Sequence, residues 1–212
     1  MTSPTRALVL VDVQLQYVEG PLEIRFPPHA ESIPRIAAAI DAATAAGLPI
    51  VVVQHDAGVG APIFDPETPA FALHPEVERR RTAEWKAVTK QYGSVFADTD
   101  VHAWLREQGV DTVTLVGYMT NNCILASAAE AEPLGLAAEV LSDATGAIDI
   151  ANAAGSASAR TVHETLMALL HSNFAAVATT DEWAAAVRDG RALAPDNLIE
   201  SAARGAERFP EY

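Results

Sequence analysis

Three side chains in this sequence could carry out covalent chemistry as a set: the single cysteine Cys123, the carboxylate of Asp12 and the ammonium of Lys90. A thiolate attacks carbonyl carbon readily. A carboxylate within reach can take the thiol proton and later deliver it to a leaving group, while a fixed cation steadies both charges. That is nucleophilic catalysis without a histidine. Each residue also has an ordinary reading. Free cysteines most often sit as small buried hydrophobes, and for Cys123 alone that reading stands level with the nucleophile. Asp12 by itself reads as a turn or cap residue, and Lys90 as a solvated surface lysine.

The elements around these residues decide whether they can meet. Residues 7–11, 49–53 and 112–116 are short apolar runs rich in β-branched side chains, the pattern of strands buried on both faces. Weaker runs at 138–141, 175–178 and 87–89 bring the expected strands to six. Helical spacing fills the gaps. Ile33, Ile36, Ala37 and Ile40 share a face over 32–46, with Pro34 in the first turn and Gly47 at the C-terminal cap. Asp100 can cap a helix holding Val101, Trp104 and Leu105, which Gly109 ends. Residues 121–131 are rich in small helix formers, 156–171 align Val162, Leu166, Leu169 and Leu170, and Thr180 can cap a last helix with Trp183 and Val187. This alternation predicts a doubly wound α/β fold, a mainly parallel six-stranded sheet with helices on both faces (Rossmann-like).

In such sheets ligands bind beyond the carboxyl ends of the strands, where the strand order reverses. Asp12 follows the first strand, Lys90 follows the run at 87–89, and Cys123 opens the helix after 112–116. All three are therefore strand-end residues. A thiol in the first turn of a helix also feels the partial positive charge of free N–H groups, which predicts easier ionisation than usual.

Length and composition narrow the function classes. The 212 residues fit one domain, 1–212, with a tail from about residue 189 lying over the surface or a neighbouring subunit. Loops at 20–29 and 56–75 are long for a compact fold and read as lids, binding loops or subunit contacts. Fourteen Lys and Arg against 28 Asp and Glu leave a formal charge of −14, which repels phosphate backbones and anionic lipid, so neither nucleic acid nor a membrane surface is an expected partner. No apolar run approaches the ~20 residues of a membrane span. One cysteine allows neither an internal disulfide nor a cysteine zinc site, and a reducing, cytoplasmic setting is expected. Asp12-Val13-Gln14-Leu15-Gln16 lacks the glycines of a phosphate-binding turn, which argues against a nucleotide cofactor.

Four stretches together resemble the isochorismatase-like cysteine hydrolase family. They are Leu10-Val11-Asp12-Val13-Gln14 with Tyr17 soon after, Lys90 ahead of Ser94 and Phe96, Gly117-Tyr118-Met119-Thr120-Asn121-Asn122-Cys123, and Leu141-Ser142-Asp143-Ala144-Thr145. The resemblance runs from the first strand to about residue 180. It implies that Asp12, Lys90 and Cys123 form a triad, with Cys123 as nucleophile, Asp12 as proton shuttle and Lys90 holding the charges. It also implies a cis peptide from Tyr118 to Met119 and an oxyanion hole made by the backbone N–H groups of Met119 and Cys123. The implied activity is hydrolysis of an amide or carbamoyl-type C–N bond of a small molecule through a thioester, by a homo-oligomer. Gln14, Tyr17, Trp85 and Tyr118 are expected to line the substrate pocket.

Nicotinamidases of that family hold a metal through an Asp, a His two residues later and further histidines. Here Asp56 is followed two residues on by Gly58, so neither a metal nor any other cofactor is expected, and nicotinamide is disfavoured as substrate. His55 and His74 read as structural, and His29, His102, His163 and His171 as ordinary surface or core residues. Two other functions stay open: vinyl-ether hydrolysis of isochorismate, against which the intact Asp, Lys and Cys set argues, and a non-catalytic thiol-sensing assembly protein.

Overall fold

The computed structural model describes residues 3–210. Its main sheet is built from β1 (Arg6–Val11), β2 (Ile50–His55), β3 (Lys86–Lys90), β4 (Thr112–Tyr118), β5 (Ala137–Gly146) and, beyond a short antiparallel hairpin of β6 (Ile150–Asn152) and β7 (Gly155–Ala157), β8 (Ala176–Ala178). The strand order is β3-β2-β1-β4-β5-β8, and every neighbouring pair is parallel. The chain winds outward from β1 to β3, then returns to β1's other side with β4. The order therefore reverses between β1 and β4, which is where a doubly wound sheet opens a crevice.

Alternation along the strands splits the interior into two cores. Ala7, Val9 and Val11 pack with Val101 and Leu105 of α3 (Val101–Glu107), Ala128 of α4 (Leu125–Ala131) and Met167 of α5 (Ala159–Leu169). Leu8 and Leu10 face Ile33, Ile36 and Ile40 of α1 (His29–Ala45), Val77 of the short α2 (Pro75–Glu78) and Trp183 of α6 (Thr180–Arg188). At the amino end of the sheet a buried polar cluster ties α6 to the strands. Arg6 forks onto Glu139 at 2.8–3.1 Å, and Trp183 Nε1 donates to Thr114 Oγ1 at 3.0 Å and Glu139 Oε2 at 3.1 Å. Breaking such a buried pair from one side costs about 3–5 kcal/mol.

Several local expectations shift. Asp100 makes no cap hydrogen bond, because its carboxylate pairs with Lys86 instead. Thr179 rather than Thr180 caps α6, in a reciprocal capping box with Glu182. Residues 156–157 belong to β7, and α5 begins only after Ser158, whose Oγ accepts the Thr161 N–H. Beyond residue 189 the tail ends in α7 (Leu198–Arg208), none of whose residues is buried.

Candidate active site

The carboxyl end of β1 is bent by Asp12, whose φ of 49° places it in the left-handed region that Asp tolerates better than most residues. Its N–H donates to Val53 O at 3.1 Å, so the turn is anchored on β2. On the other side Gly117 of β4 sits at φ 107°, and a Cβ there would lie 2.1 Å from Val11 O. Glycine is the residue that lets β4 approach β1 this closely at the switch point.

Lys90 ends β3, which β2 separates from β1 in the sheet, and its side chain reaches Asp12. Lys90 Nζ lies 2.7 Å from Asp12 Oδ2, 3.3 Å from Cys123 Sγ, 3.2 Å from His55 Nδ1 and 3.1 Å from Tyr92 O. The three predicted residues are therefore brought together, and all are buried: Asp12 is 0% exposed, Lys90 and Cys123 2% each. Asp12 Oδ2 meets the ammonium as an ion pair at 2.7 Å, and Oδ1 has no hydrogen-bond partner among the described residues. Cys123 lies in a wide helical turn, Thr120–Ile124, that leads into α4. That turn is fixed from below, because Ser127 Oγ donates to Cys123 O at 2.6 Å and accepts the Val95 N–H at 3.0 Å.

The electrostatics correct one expectation. Burial pushes the Cys123 thiol up to about 12, Asp12 adds to the rise, and Lys90 opposes it without reversing it. Desolvation here outweighs the helix-terminus effect and favours the protonated sulfur. Burial also raises the Asp12 carboxyl above its ordinary value, against the pull of Lys90 and the Cys123 thiol. His55 is drawn down to about 4 by burial and then by Lys90, which leaves it neutral.

The remaining predicted residues fall in different places. Tyr17 is buried near the set, since Asp12 and Cys123 join burial in raising its phenol, and its ring stacks at a tilt on Phe64 (5.4 Å) and Tyr118 (5.5 Å). Gln14 does not reach out to a ligand. Its amide is committed to backbone, donating to His55 O at 3.1 Å and Phe71 O at 2.9 Å and accepting the His55 N–H at 2.8 Å. Tyr118 is buried with its hydroxyl 2.6 Å from Ser32 Oγ, and the Tyr118–Met119 peptide is cis. Trp85 is placed away from the site, beside Leu48, Pro49 and Ile50 at the start of β2. It precedes β3 whereas Lys90 ends it, a separation of roughly 16 Å along the strand. Its nearness in sequence to Lys90 was misleading for that reason.

Two features escaped the sequence. His55, the last residue of β2, is half-buried beside the ammonium, with its ring edge-on to Phe64 at 4.9 Å. Its pairing with Lys90 across β2 and β3 is a register that only the assembled sheet reveals. His163 is likewise not an ordinary residue. Its Nδ1 lies 3.0 Å from Thr120 Oγ1, which lies 3.1 Å from Thr145 Oγ1, and all three are buried next to the Met119–Cys123 turn.

A metal ion does not suit this donor set. Asp12, His55 and Cys123 offer ligand atoms within 4.8 Å of one another, but the Lys90 ammonium already stands within 2.7–3.3 Å of all three. Asp56 is engaged in its own turn, accepting the Gly58 N–H at 2.8 Å.

A parallel sheet with a buried thiol, carboxylate and lysine at its switch point defines an α/β enzyme-type site. Comparison with known proteins agrees: the isochorismatase domain model matches residues 6–182, and the chain belongs to the isochorismatase family of hydrolases. It is 44% identical to an isochorismatase-type protein of Burkholderia xenovorans LB400, whose crystal structure superposes with a TM-score of 0.94 over 98% of this chain and 99% of that one. A secreted isochorismatase effector, Isc1, of Verticillium dahliae is 34% identical, over 68% of this chain and 73% of its own. A streptothricin hydrolase of Streptomyces noursei is 31% identical, over 84% of this chain and 67% of its own.

Proposed function

We propose that the protein hydrolyses the C–N bond of a small amide or carbamoyl compound through a thioester on Cys123. The observation that carries this reading is Lys90 Nζ held 2.7 Å from Asp12 and 3.3 Å from Cys123 in one buried set. The thiol proton passes to Asp12 as Sγ attacks the carbonyl carbon. The oxyanion is received by the N–H groups of Met119 and Cys123. Asp12 then protonates the nitrogen, the C–N bond breaks, and the amine or ammonia leaves a thioester. Water, losing a proton to Asp12, attacks the thioester, and the acid departs as the thiol is restored.

Asp12 Oδ1, without a hydrogen-bond partner among the described residues, supports the shuttle role, since it is free to accept the thiol proton. A thiol-sensing role is opposed by the same geometry, because a sensor needs neither a carboxylate nor an ammonium gathered beside its sulfur. We place the enzyme in the cytoplasm, where its free thiol stays reduced, acting on small molecules rather than nucleic acid or membrane. We also propose a homo-oligomer, supported by the apolar side chains Leu198, Ile199 and Phe209 that α7 and its end leave exposed.

A panel of small amides and ureas, scored for ammonia release, tests the reading together with isochorismate scored for pyruvate. The expected result is ammonia release that Cys123→Ala abolishes, with an acyl adduct on Cys123 trapped by acid quench and seen by mass. Turnover of an amide undiminished in Cys123→Ala removes the mechanism, and pyruvate release alone replaces it with vinyl-ether hydrolysis.

A further inference from the structure

His55 is unlike the other groups at the site in being locked in place yet not sealed off. Its Nδ1 faces the Lys90 ammonium at 3.2 Å, and an imidazole nitrogen facing an ammonium must accept, so the ring proton is on Nε2. Gln14 holds the His55 backbone from both sides, and Phe64 braces the ring edge. Among the described residues Nε2 has no hydrogen-bond partner, and His55 is half-buried where Asp12, Lys90 and Cys123 are buried. One N–H donor therefore stands free on a ring that lies beside the thiol, with one of its nitrogens within 4.8 Å of the sulfur.

Charge narrows what that donor can meet. The segments that build the site, residues 12–17, 53–64, 90–96 and 117–124, contain a single basic side chain, Lys90, and Asp12 already neutralises it. Basic residues on flanking elements are engaged elsewhere: Arg25 with Glu23, Arg79 and Arg80 with Glu76, Arg160 with Glu164. A substrate carboxylate entering this site would lose its hydration and find no unpaired cation in exchange.

We infer that His55 Nε2–H is a substrate-binding donor, and that the acyl part of the substrate is uncharged and offers it a carbonyl-type oxygen rather than a carboxylate. The inference deepens the proposed hydrolase activity and rests on it for the word substrate, but its test needs no turnover. Because Cys123 is the only cysteine, its alkylation can be followed by intact mass. Iodoacetamide and iodoacetate form the same thioether bond and expel the same iodide. They differ in presenting a neutral amide or a carboxylate.

With each rate divided by that of N-acetylcysteine, iodoacetamide should be favoured by about tenfold or more, the scale of one hydrogen bond plus an uncompensated charge. His55→Phe should reduce the iodoacetamide advantage to the part owed to the uncompensated charge, slowing iodoacetamide more than iodoacetate, while His55→Gln, which keeps a side-chain N–H, should retain more of it. Equal normalised rates for the two probes would overturn the charge argument. Equal slowing of both probes in His55→Phe and His55→Gln would show that His55 acts only through Lys90. A clear probe preference in a protein that hydrolyses no amide would keep this inference and discard the hydrolase reading.

Discussion

Replacing Lys90 by methionine keeps the stem and removes the charge, which isolates what the ammonium does for Asp12. The carboxylate is wholly buried, and its one charge partner lies 2.7 Å away. In Lys90→Met it must either remain ionised in a dry site or bind a proton. The second route sets a ceiling. Holding a carboxyl neutral at pH 7 against an ordinary value near 3.9 spans about three pH units at about 1.4 kcal/mol each, or about 4 kcal/mol. That agrees with the about 3–5 kcal/mol seen when buried pairs are broken from one side.

The sign follows from the direction of the shift. Asp12 is raised in the folded state, and further so without Lys90, so the folded protein binds that proton more tightly than the unfolded chain. The penalty is therefore absent below about pH 4 and grows by about 1.4 kcal/mol per unit as pH rises, until the folded value is passed. The unaltered protein carries a weaker form of the same slope. Urea unfolding of both proteins between about pH 4 and 7 measures it, and Asp12→Asn combined with Lys90→Met should recover most of the loss at neutral pH. A stability difference that is the same at both ends of that range, or a double variant no better than Lys90→Met, would refute the reasoning.

Gly117→Ala should cost more than about 2 kcal/mol, because its Cβ would lie 2.1 Å from Val11 O at a φ of 107°, and thermal melts will show it. Thr120→Val, nearly isosteric, should cost about 1–3 kcal/mol by leaving the buried His163 Nδ1 without its hydrogen-bond partner, and should lower kcat more than it raises KM. The kcat/KM profile should fall on acidification at a pH above the ordinary carboxylate range, where raised Asp12 gains a proton, and should show no alkaline limb below the thiol's value of about 12. A limb near neutrality would assign the control to another group.

The sequence carried the sheet because buried parallel strands have a strong local signal. Residues 7–11 are uniformly apolar, residues 112–116 are β-branched-rich and buried throughout, and both lie at the centre of the sheet, where both faces are covered. It carried Asp12, Lys90 and Cys123 because strand ends converge in a doubly wound fold and a motif marks each one. What it could not carry depends on registers between distant segments. His55 meets Lys90 only through the β2–β3 pairing, and His163 meets Thr120 only because α5 folds back over the turn before α4. Trp85 erred in the opposite direction, since proximity in sequence along a strand becomes distance in space. The ionisation of Cys123 was misjudged because a helix terminus can be read from local sequence whereas burial cannot.

Under the proposed reaction, that high thiol value is an advantage rather than an obstacle. Lys90 occupies the centre of a donor set that a divalent ion could otherwise fill, and the two cations would act differently. A coordinating metal deprotonates a thiol outright, whereas an ammonium 3.3 Å away leaves it protonated. The proton then stays inside the site until a substrate arrives. Attack transfers it to Asp12, whose raised value makes the resulting acid stable enough to hold the proton and close enough to deliver it to the departing nitrogen. Burial thus sets both the nucleophile's reluctance and the acid's strength, and Lys90 keeps the pair from separating.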